Sequence, residues 1–262
     1  MPRTLIVVPT YQEASNIDEL LRCVRDVAPD ADVLVVDDGS PDGNADLADA
    51  VAADLGQITV LRRHEKGGLG AAYRAGFAVG RAQGYDVLME MDADLSHDPT
   101  VIPGILGAIR AGADLAIGSR YIPGGGTPHW PARRRLLSRA GNLYASWMLG
   151  LRVTDATSGF RAYRATALDA IDVGATHSTG YSFQIELAYQ VARAGGQTSE
   201  IPIVFHDRTR GTSKMSTRIA VEALALVTWW ALRDRVLGWR RAPLPQRADP
   251  IAAAKTGARA AA

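Results

Sequence analysis

Residues 86–98 read Asp-Val-Leu-Met-Glu-Met-Asp-Ala-Asp-Leu-Ser-His-Asp. Val87, Leu88, Met89 and Met91 form a short apolar run of the kind a buried strand presents. The run breaks into Asp92-Ala93-Asp94. In an extended chain alternate side chains share a face, so the two carboxylates leave the backbone in the same direction, roughly 6.5 Å apart. Two bare carboxylates at that range repel each other, and one would tend to take up a proton. A divalent cation removes the conflict, because Mg²⁺ and Mn²⁺ prefer oxygen donors and Mg²⁺ is typically held by one or two carboxylates plus phosphate oxygens. Asp-x-Asp is also common in loops, where Asp caps helices and closes turns. Taken alone, the pair leaves both readings open.

The flanking chain alternates strand and helix. Thr4 to Val8 is a nearly unbroken β-branched and Leu run, expected of a strand buried on both faces. Pro9-Thr10-Tyr11-Gln12-Glu13 follows at its carboxyl end. Ser15 or Asn16 is placed to cap a helix whose apolar positions are Ile17, Leu20, Leu21, Val24 and Val27. Val33 to Val36 reads as a second strand ending in Asp37-Asp38-Gly39-Ser40-Pro41-Asp42-Gly43, Asp46 to Leu55 as a helix, and Ile58 to Leu61 as a third strand. Gly67-Gly68-Leu69-Gly70 opens a helix over Ala71 to Ala82. Beyond the opening stretch, Pro99 to Arg110 is a helix and Asp114 to Ile117 a strand ending in Gly118-Ser119-Arg120-Tyr121. Such alternation predicts a mostly parallel α/β sheet with helices on both faces, which binds ligands at the carboxyl ends of its strands. Tyr11 and Glu13, Asp37 and Asp38, Asp92 and Asp94, and Arg120 all fall at those ends. A dinucleotide-binding domain would need G-x-G-x-x-G after the first strand, where this chain has Pro-Thr-Tyr-Gln-Glu, and no Walker A motif is present. The glycines at 67–70 supply a tight turn and a helix N-terminus, which also suits phosphate.

The second half differs. Pro123-Gly124-Gly125-Gly126-Thr127-Pro128 reads as flexible, followed by His129-Trp130 and the cations Arg133, Arg134, Arg135 and Arg139, as in a mobile loop over an anionic site. A charge run is equally the mark of a solvated face. Leu136 to Leu149 is expected to be helical, Gln184 to Arg193 a helix, and Glu200 to Phe205 an alternating strand. Thr157-Ser158-Gly159-Phe160-Arg161 and Gly180 to Glu186 are polar-aromatic patches. Asp207 to Lys214 carries three cations beside Gly and Ser, a composition suited to gripping phosphate.

With 262 residues, 47% hydrophobic and 22% charged, the chain has the apolar mass of a globular domain, and a net charge of +1 gives no global signal for nucleic acid. The single cysteine, Cys23, excludes an internal disulfide, fits a reducing compartment, and is expected to pack in the core from its helix. Met1-Pro2-Arg3 enters a strand directly, without a signal-peptide pattern. Ile219 to Trp239 is mostly apolar but interrupted by Glu222, Arg233, Asp234 and Arg235. Its uncharged run, Ala223 to Leu232, is far short of the ~20 residues a membrane span needs. Trp229, Trp230 and Trp239, with Arg233, Arg235, Arg240 and Arg241, suit a helix lying in the headgroup layer, and its Leu and Val face equally suits docking on the domain. The expected division is a domain over 1–215, an amphipathic helix over 216–241, and a disordered Pro-, Ala- and Arg-rich tail over 242–262.

Several motifs taken together resemble one family. Pro9-Thr10-Tyr11-x-Glu13, Val36-Asp37-Asp38-x-Ser40-Pro41-Asp42-Gly43, Asp92-Ala93-Asp94-Leu95-Ser96-His97, Gly118-Ser119-Arg120-Tyr121, Thr157-Ser158-Gly159-Phe160-Arg161 and Arg208-x-x-Gly211-x-Ser213-Lys214 are similar to the dolichyl- and polyprenyl-phosphate mannose synthases, family 2 glycosyltransferases of the GT-A fold. The first three motifs occur across many family 2 enzymes, while the full set, in order from Leu5 to about Met215, is specific for lipid-phosphate acceptors. The resemblance implies that Pro9, Tyr11, Glu13, Val36 and Asp38 hold the guanosine of GDP-mannose. It places Asp92, Ala93 and Asp94 at the metal, Mg²⁺ or Mn²⁺, and the diphosphate, with Ser96 as a further ligand. It puts Arg120, Arg208 and Lys214 at the sugar-diphosphate and Arg134 and Ser138 at the acceptor phosphate. It implies a polyprenyl or dolichyl phosphate partner, the membrane surface, a separate membrane-anchoring protein, and a peripheral position on the cytosolic face.

The chemistry follows from general principles. A nucleoside diphosphate leaving group gains negative charge as the sugar bond breaks, and a metal with fixed cations stabilises that charge. A phosphate monoester ionises a second time near pH 6, so its oxygen is already a competent nucleophile and needs no protein base. Direct attack inverts the anomeric carbon. His97 is open to a turn or supporting role. Two other readings remain: a transferase of the same fold with another donor such as UDP-glucose, and a nucleotide-binding module without turnover.

Overall fold

The computed structural model describes residues 2–174, 176, 178, 180–207 and 217–237. Its centre is a seven-stranded sheet in the order β3-β2-β1-β4-β6-β5-β7. The strands are β1 (Thr4–Thr10), β2 (Asp32–Asp37), β3 (Ile58–Arg62), β4 (Val87–Glu90), β5 (Leu115–Ser119), β6 (Arg161–Arg164) and β7 (Thr198–Pro202). The helices are α1 (Ile17–Val27), α2 (Asn44–Leu55), α3 (Leu69–Ala82), α4 (Ile102–Arg110), α5 (Ala132–Leu149), α6 (Ala165–Asp169), α7 (Tyr181–Arg193) and α8 (Thr217–Leu237). A 3-10 turn at Pro99–Val101 leads into α4, so the helix expected from Pro99 begins in two pieces.

The apolar runs become strands because both faces of the sheet are covered. Alternation splits them into two cores. Leu5, Val7, Leu34, Val36, Leu88 and Ile117 face one side, against Tyr73 and Phe77 of α3 and Phe183 and Leu187 of α7. Ile6, Val8, Val33, Val35 and Met89 face the other, against Leu20, Leu21 and Val24 of α1 and Ile105 and Ile109 of α4. Helix α3 lies close on the sheet because Gly76 and Gly80 present no side chain: a Cβ at Gly76 would run into Val7, and one at Gly80 into Leu88.

Strands β1 to β4 are parallel, with β2 on one side of β1 and β4 on the other. The chain therefore changes direction of winding at β1, and the carboxyl ends of β1 and β4 form the switch point at which such sheets bind ligands. Strand β6 was not anticipated. It runs antiparallel between β4 and β5. Its ends are Arg161 and Arg164, so it reads as a polar patch, yet Arg161 is fully buried. That guanidinium is satisfied by carbonyl oxygens, with Nε 2.7 Å from Ser158, Nη1 2.9 Å from Gln184 and Nη2 3.1 Å from Ala156.

Four local expectations are corrected. Asn16 is the N-cap residue of α1 but does not cap it with its side chain, whose amide instead donates to Glu13 at 2.9 Å. Cys23 is exposed, on the solvent side of α1, because Leu20, Leu21 and Val24 fill the inward face. The arginines at 133–135 lie on the first turn of α5, not on a mobile loop: the helix begins at Ala132, right after Pro131, a residue suited to helix starts. The glycine segment before it is pinned, with the Gly126 amide donating to the Ile203 carbonyl at 2.9 Å, the Phe205 amide donating to the Gly126 carbonyl at 2.9 Å, and Trp130 buried edge-on against Phe205.

Candidate active site

The tips of β1 and β2 are tied together by Asp37. Its carboxylate accepts the hydroxyls of Ser40 at 2.6 Å and Thr10 at 3.0 Å, the Ser40 amide at 2.9 Å and the Asn44 side-chain amide at 2.8 Å. Burial alone would raise its pKa, but these donors outweigh burial and hold it below the usual carboxylate range. Asp38 reaches the glycine turn, accepting from Arg63 at 2.6 Å and the Gly67 amide at 3.0 Å. Gly68 takes φ 83°, so the tight-turn role of that loop is present. Lys66 lies 3.8 Å over the Tyr11 ring, and Glu13 accepts from Asn16. Val36 is wholly buried in the core below the β2 tip, paired with Pro9 across the ladder.

The acidic pair follows β4. Asp92 is half-buried and accepts the Tyr73 hydroxyl at 3.3 Å. Asp94 is buried and accepts both the amide and the hydroxyl of Ser96, at 3.1 and 2.5 Å. Ala93 packs in the core between them. His97 stacks on Phe160 with ring centres 4.9 Å apart and takes the Asp92 amide on Nδ1 at 3.3 Å, which leaves the ring proton on Nε2. Burial pushes its pKa down, against the pull of Asp92 and Asp94, so it is neutral and supports the loop. Gly159 faces the Asp92 carboxylate, and a Cβ there would stand 3.5 Å from it. That open cradle and the hard oxygens of Asp92, Asp94 and Ser96 fit a divalent cation of the Mg²⁺ or Mn²⁺ type. Among the described residues, no group of three or more His, Cys, Asp and Glu side chains forms a closed metal cage, so other ligands would come from a bound diphosphate and water.

Arg120 leaves the tip of β5 and is held by Asp155. Its Nε donates to Oδ2 at 2.7 Å and its Nη2 to Oδ1 at 2.6 Å, while its backbone amide adds a third bond at 3.0 Å. Nη2 also reaches the Thr157 hydroxyl at 2.8 Å. Burial would raise the pKa of Asp155, but Arg120 outweighs it and holds the carboxyl below the usual range. Glu200 of β7 fixes the segment by accepting the Thr154 and Asp155 amides at 2.9 and 3.0 Å. The sequence reading missed Asp155 and Glu200. They lie 35 and 80 residues from Arg120, and the one available signal was that Asp155 stands two residues before the quoted Thr157-Ser158-Gly159 motif.

On α5, Arg134 and Ser138 face inward. Arg134 donates to Asp207 at 2.8 Å and lies 3.8 Å over the Trp130 ring, whereas Arg133 and Arg135 are exposed. Ser138 accepts the Tyr121 hydroxyl at 2.6 Å, and the Arg120 guanidinium lies 5.4 Å from the Tyr121 ring centre. One turn on, the Asn142 carbonyl oxygen accepts the Thr157 amide at 3.1 Å. A continuous wall therefore runs from Asp92 past Gly159, Thr157, Arg120 and Tyr121 to Ser138. Arg208 and Lys214 lie outside the described residues, as do Trp239, Arg240, Arg241 and the expected tail over 242–262. Helix α8 docks on the domain: Val227, Trp230 and Ala231 are buried, Trp230 stacks on Tyr189, and Arg193 pairs with Asp234. Trp229 faces outward, 61% exposed.

A mostly parallel sheet of GT-A type with an acidic pair at the switch in strand order defines a glycosyltransferase. The chain belongs to glycosyl transferase family 2, whose model matches residues 5–172. It is 50% identical over 238 residues to an undecaprenyl-phosphate mannosyltransferase of Micrococcus luteus, covering 91% of this chain and 98% of that protein. It is 48% identical over 235 residues to a polyprenol monophosphomannose synthase of Mycolicibacterium smegmatis, covering 89% of each. Among solved structures it is similar to glucosyl-3-phosphoglycerate synthase of Mycobacterium tuberculosis in complex with Mn²⁺, UDP and glucosyl-3-phosphoglycerate. There the TM-score is 0.58 at 18% identity, covering 89% of this chain and 80% of that one, a likeness of fold.

Proposed function

We propose that the protein transfers mannose from GDP-mannose to a polyprenyl monophosphate, with a divalent cation, in one inverting step, working peripherally on the cytosolic face of a membrane. The observation that supports the reading is the wall joining Asp92 to Ser138, along which a donor end and an acceptor end would lie side by side. At the donor end, Tyr11, Glu13 and Asp38 border the space for the nucleoside beside the tips of β1 and β2, and Arg208 and Lys214 are assigned to the sugar-diphosphate. Asp92 and Asp94, with Ser96 beside Asp94, would hold the cation, which when bound neutralises the departing diphosphate. Arg120 is fixed by Asp155 before substrate arrives, so little reorganisation is needed as charge develops. At the acceptor end Arg134 and Ser138 receive the phosphate, Arg134 exchanging Asp207 for it. A phosphate dianion attacks without a protein base, and His97, neutral with Nδ1 engaged, is left to hold the Asp92 loop.

The relatives named for undecaprenyl-phosphate and polyprenol-phosphate mannose transfer support this acceptor class. No helix among the described residues is long and apolar enough to cross a membrane, which is consistent with a peripheral position. The test is incubation with GDP-mannose and a polyprenyl phosphate in Mg²⁺ or Mn²⁺, read by mass spectrometry of the lipid, with UDP-glucose in parallel. A mannosyl-phosphate lipid from GDP-mannose alone is expected. A hexosyl lipid formed only from UDP-glucose would refute the donor assignment.

A further inference from the structure

Helix α5 buries two side chains, Asn142 and Ala145. Asn is a poor helix former, because its side chain competes with the backbone for hydrogen bonds, and burying its amide is costly unless its polar atoms are met. In Asn142 they are all met. Oδ1 accepts the Thr157 amide at 3.1 Å, and Nδ2 donates to the Thr157 hydroxyl at 3.1 Å and to the Ser138 carbonyl at 3.0 Å. The backbone N–H of Thr157 can only donate, so the side-chain amide cannot be reversed. The Thr157 hydroxyl is equally full: it donates to Asp155 Oδ1 at 3.3 Å and accepts from Asn142 and, at 2.8 Å, from Arg120 Nη2. One proton and two lone pairs are its whole capacity. A directed chain of hydrogen bonds therefore runs from the Arg120 guanidinium through Thr157 to the middle of α5. A second tie joins the same elements, since Tyr121, next to Arg120 in sequence, donates to Ser138 at 2.6 Å. Positions 138 and 142 lie one turn apart, about 6 Å along the helix axis. One hydrogen bond is a pivot about which a helix can turn, whereas two a turn apart fix its rotation. Packing does not do this instead: from Ala132 to Gly141, the half that carries Arg134 and Ser138, no residue is buried.

We propose that Asn142 is a positioning residue for transfer, holding α5 at a fixed rotation to Arg120 so that a phosphate carried by Arg134 and Ser138 meets the sugar in line with its departing diphosphate. The proposal rests on the donor and acceptor ends assigned above. Asn142 touches neither substrate and acts through Thr157 and Arg120. The acceptor rides on α5 and the donor on the strand tips. Loosening the tie therefore leaves both to bind and spoils only their mutual placement, a loss that falls on kcat.

The experiment is steady-state kinetics of the full chain with GDP-mannose and a short, water-soluble prenyl phosphate in Mn²⁺, comparing wild type, Asn142→Ala, Thr157→Val, the double variant and Thr157→Ser. Active sites are counted by calorimetric titration with GDP, so that loss of folded enzyme does not enter kcat. Asn142→Ala is expected to lower kcat per site by about tenfold to a hundredfold, as a misplacement of about 1 Å does, with both KM values within about threefold of wild type. Thr157→Val should fall as far, and the double variant no more than about twofold further, because either change breaks one and the same chain, whereas independent losses would multiply. Thr157→Ser keeps the amide and the hydroxyl and should return to within about threefold of wild type. A kcat per site for Asn142→Ala within about twofold of wild type would overturn the proposal, as would losses that multiply in the double variant. So would a raised acceptor KM at unchanged kcat, which would make Asn142 a binding residue. A wild type that uses another nucleotide sugar refutes the donor assignment only, since the same ratios are then read with that donor and its nucleotide. A wild type inactive with every nucleotide sugar refutes the assigned reaction and the proposal with it.

Discussion

Asp155 is the residue whose loss should be felt most widely. Its side chain is 0% exposed and that of Arg120 6%, and the pair is closed by two guanidinium bonds and a backbone amide. Removing one partner of such a pair leaves a buried charge uncompensated, at a cost of about 3–5 kcal/mol. Asp155→Ala should lose that amount at neutral pH, lowering the melting temperature by about 6–20 °C for a chain of this size. Asp155→Asn keeps the shape and one acceptor oxygen and should lose about 2–3 kcal/mol. Replacing both partners with apolar residues, Arg120→Met with Asp155→Leu, should recover most of the stability but not transfer. The pH dependence has a definite sign. The folded pKa of Asp155 is depressed, so its contribution is full above the unfolded value near 4 and is lost as pH falls through the folded one. The gap between wild type and Asp155→Ala should therefore close only in acid. Urea unfolding at several pH values measures it. A gap under about 1 kcal/mol at pH 7 would refute the reasoning, because a buried guanidinium left unpaired cannot be that cheap.

Other expectations concern chemistry and packing. Asp92→Ala and Asp94→Ala should each reduce transfer by about a thousandfold or more while leaving the fold intact, and EDTA should abolish transfer reversibly in a radiolabelled-donor assay; full activity under any of these would remove the metal role. Gly76→Val should destabilise by about 1–3 kcal/mol in thermal unfolding, because the new side chain must displace Val7 beneath α3. Glu90 is fully buried, with Oε2 3.3 Å from the Gln184 amide. Burial, opposed by Arg161, raises its pKa to about 7. A raised carboxyl pKa means that this group's own contribution to stability is full below its unfolded value near 4 and is lost as pH rises through about 7, so Glu90→Gln should flatten the stability profile between about pH 5 and 8.

The strands and helices of the first half were legible because each is a local pattern. The apolar runs at Thr4–Val8, Val33–Val36 and Val87–Met91 and the helical spacing at Ile17–Val24 need only near neighbours to be read, and the tips of parallel strands must converge on one edge. The acidic pair follows from the same periodicities, whereas Arg134 and Ser138 come from the family resemblance alone, since a run of three arginines does not fix which of them turns inward. What they could not reveal is who pairs with whom across long loops. The partnership of Arg120 with Asp155 spans 35 residues, and the bracing by Glu200 a further 45 from Asp155. Strand β6 was hidden because Arg161 reads as a surface charge, and only the closed fold brings three backbone carbonyls around it. Cys23 reads as a core residue until α1 is docked, when its neighbours take the available space. The two faces of α5 likewise acquire meaning only in three dimensions, since one sequence period distributes side chains around an axis but the packed sheet and α8 decide which direction faces the site and which is left to the surroundings.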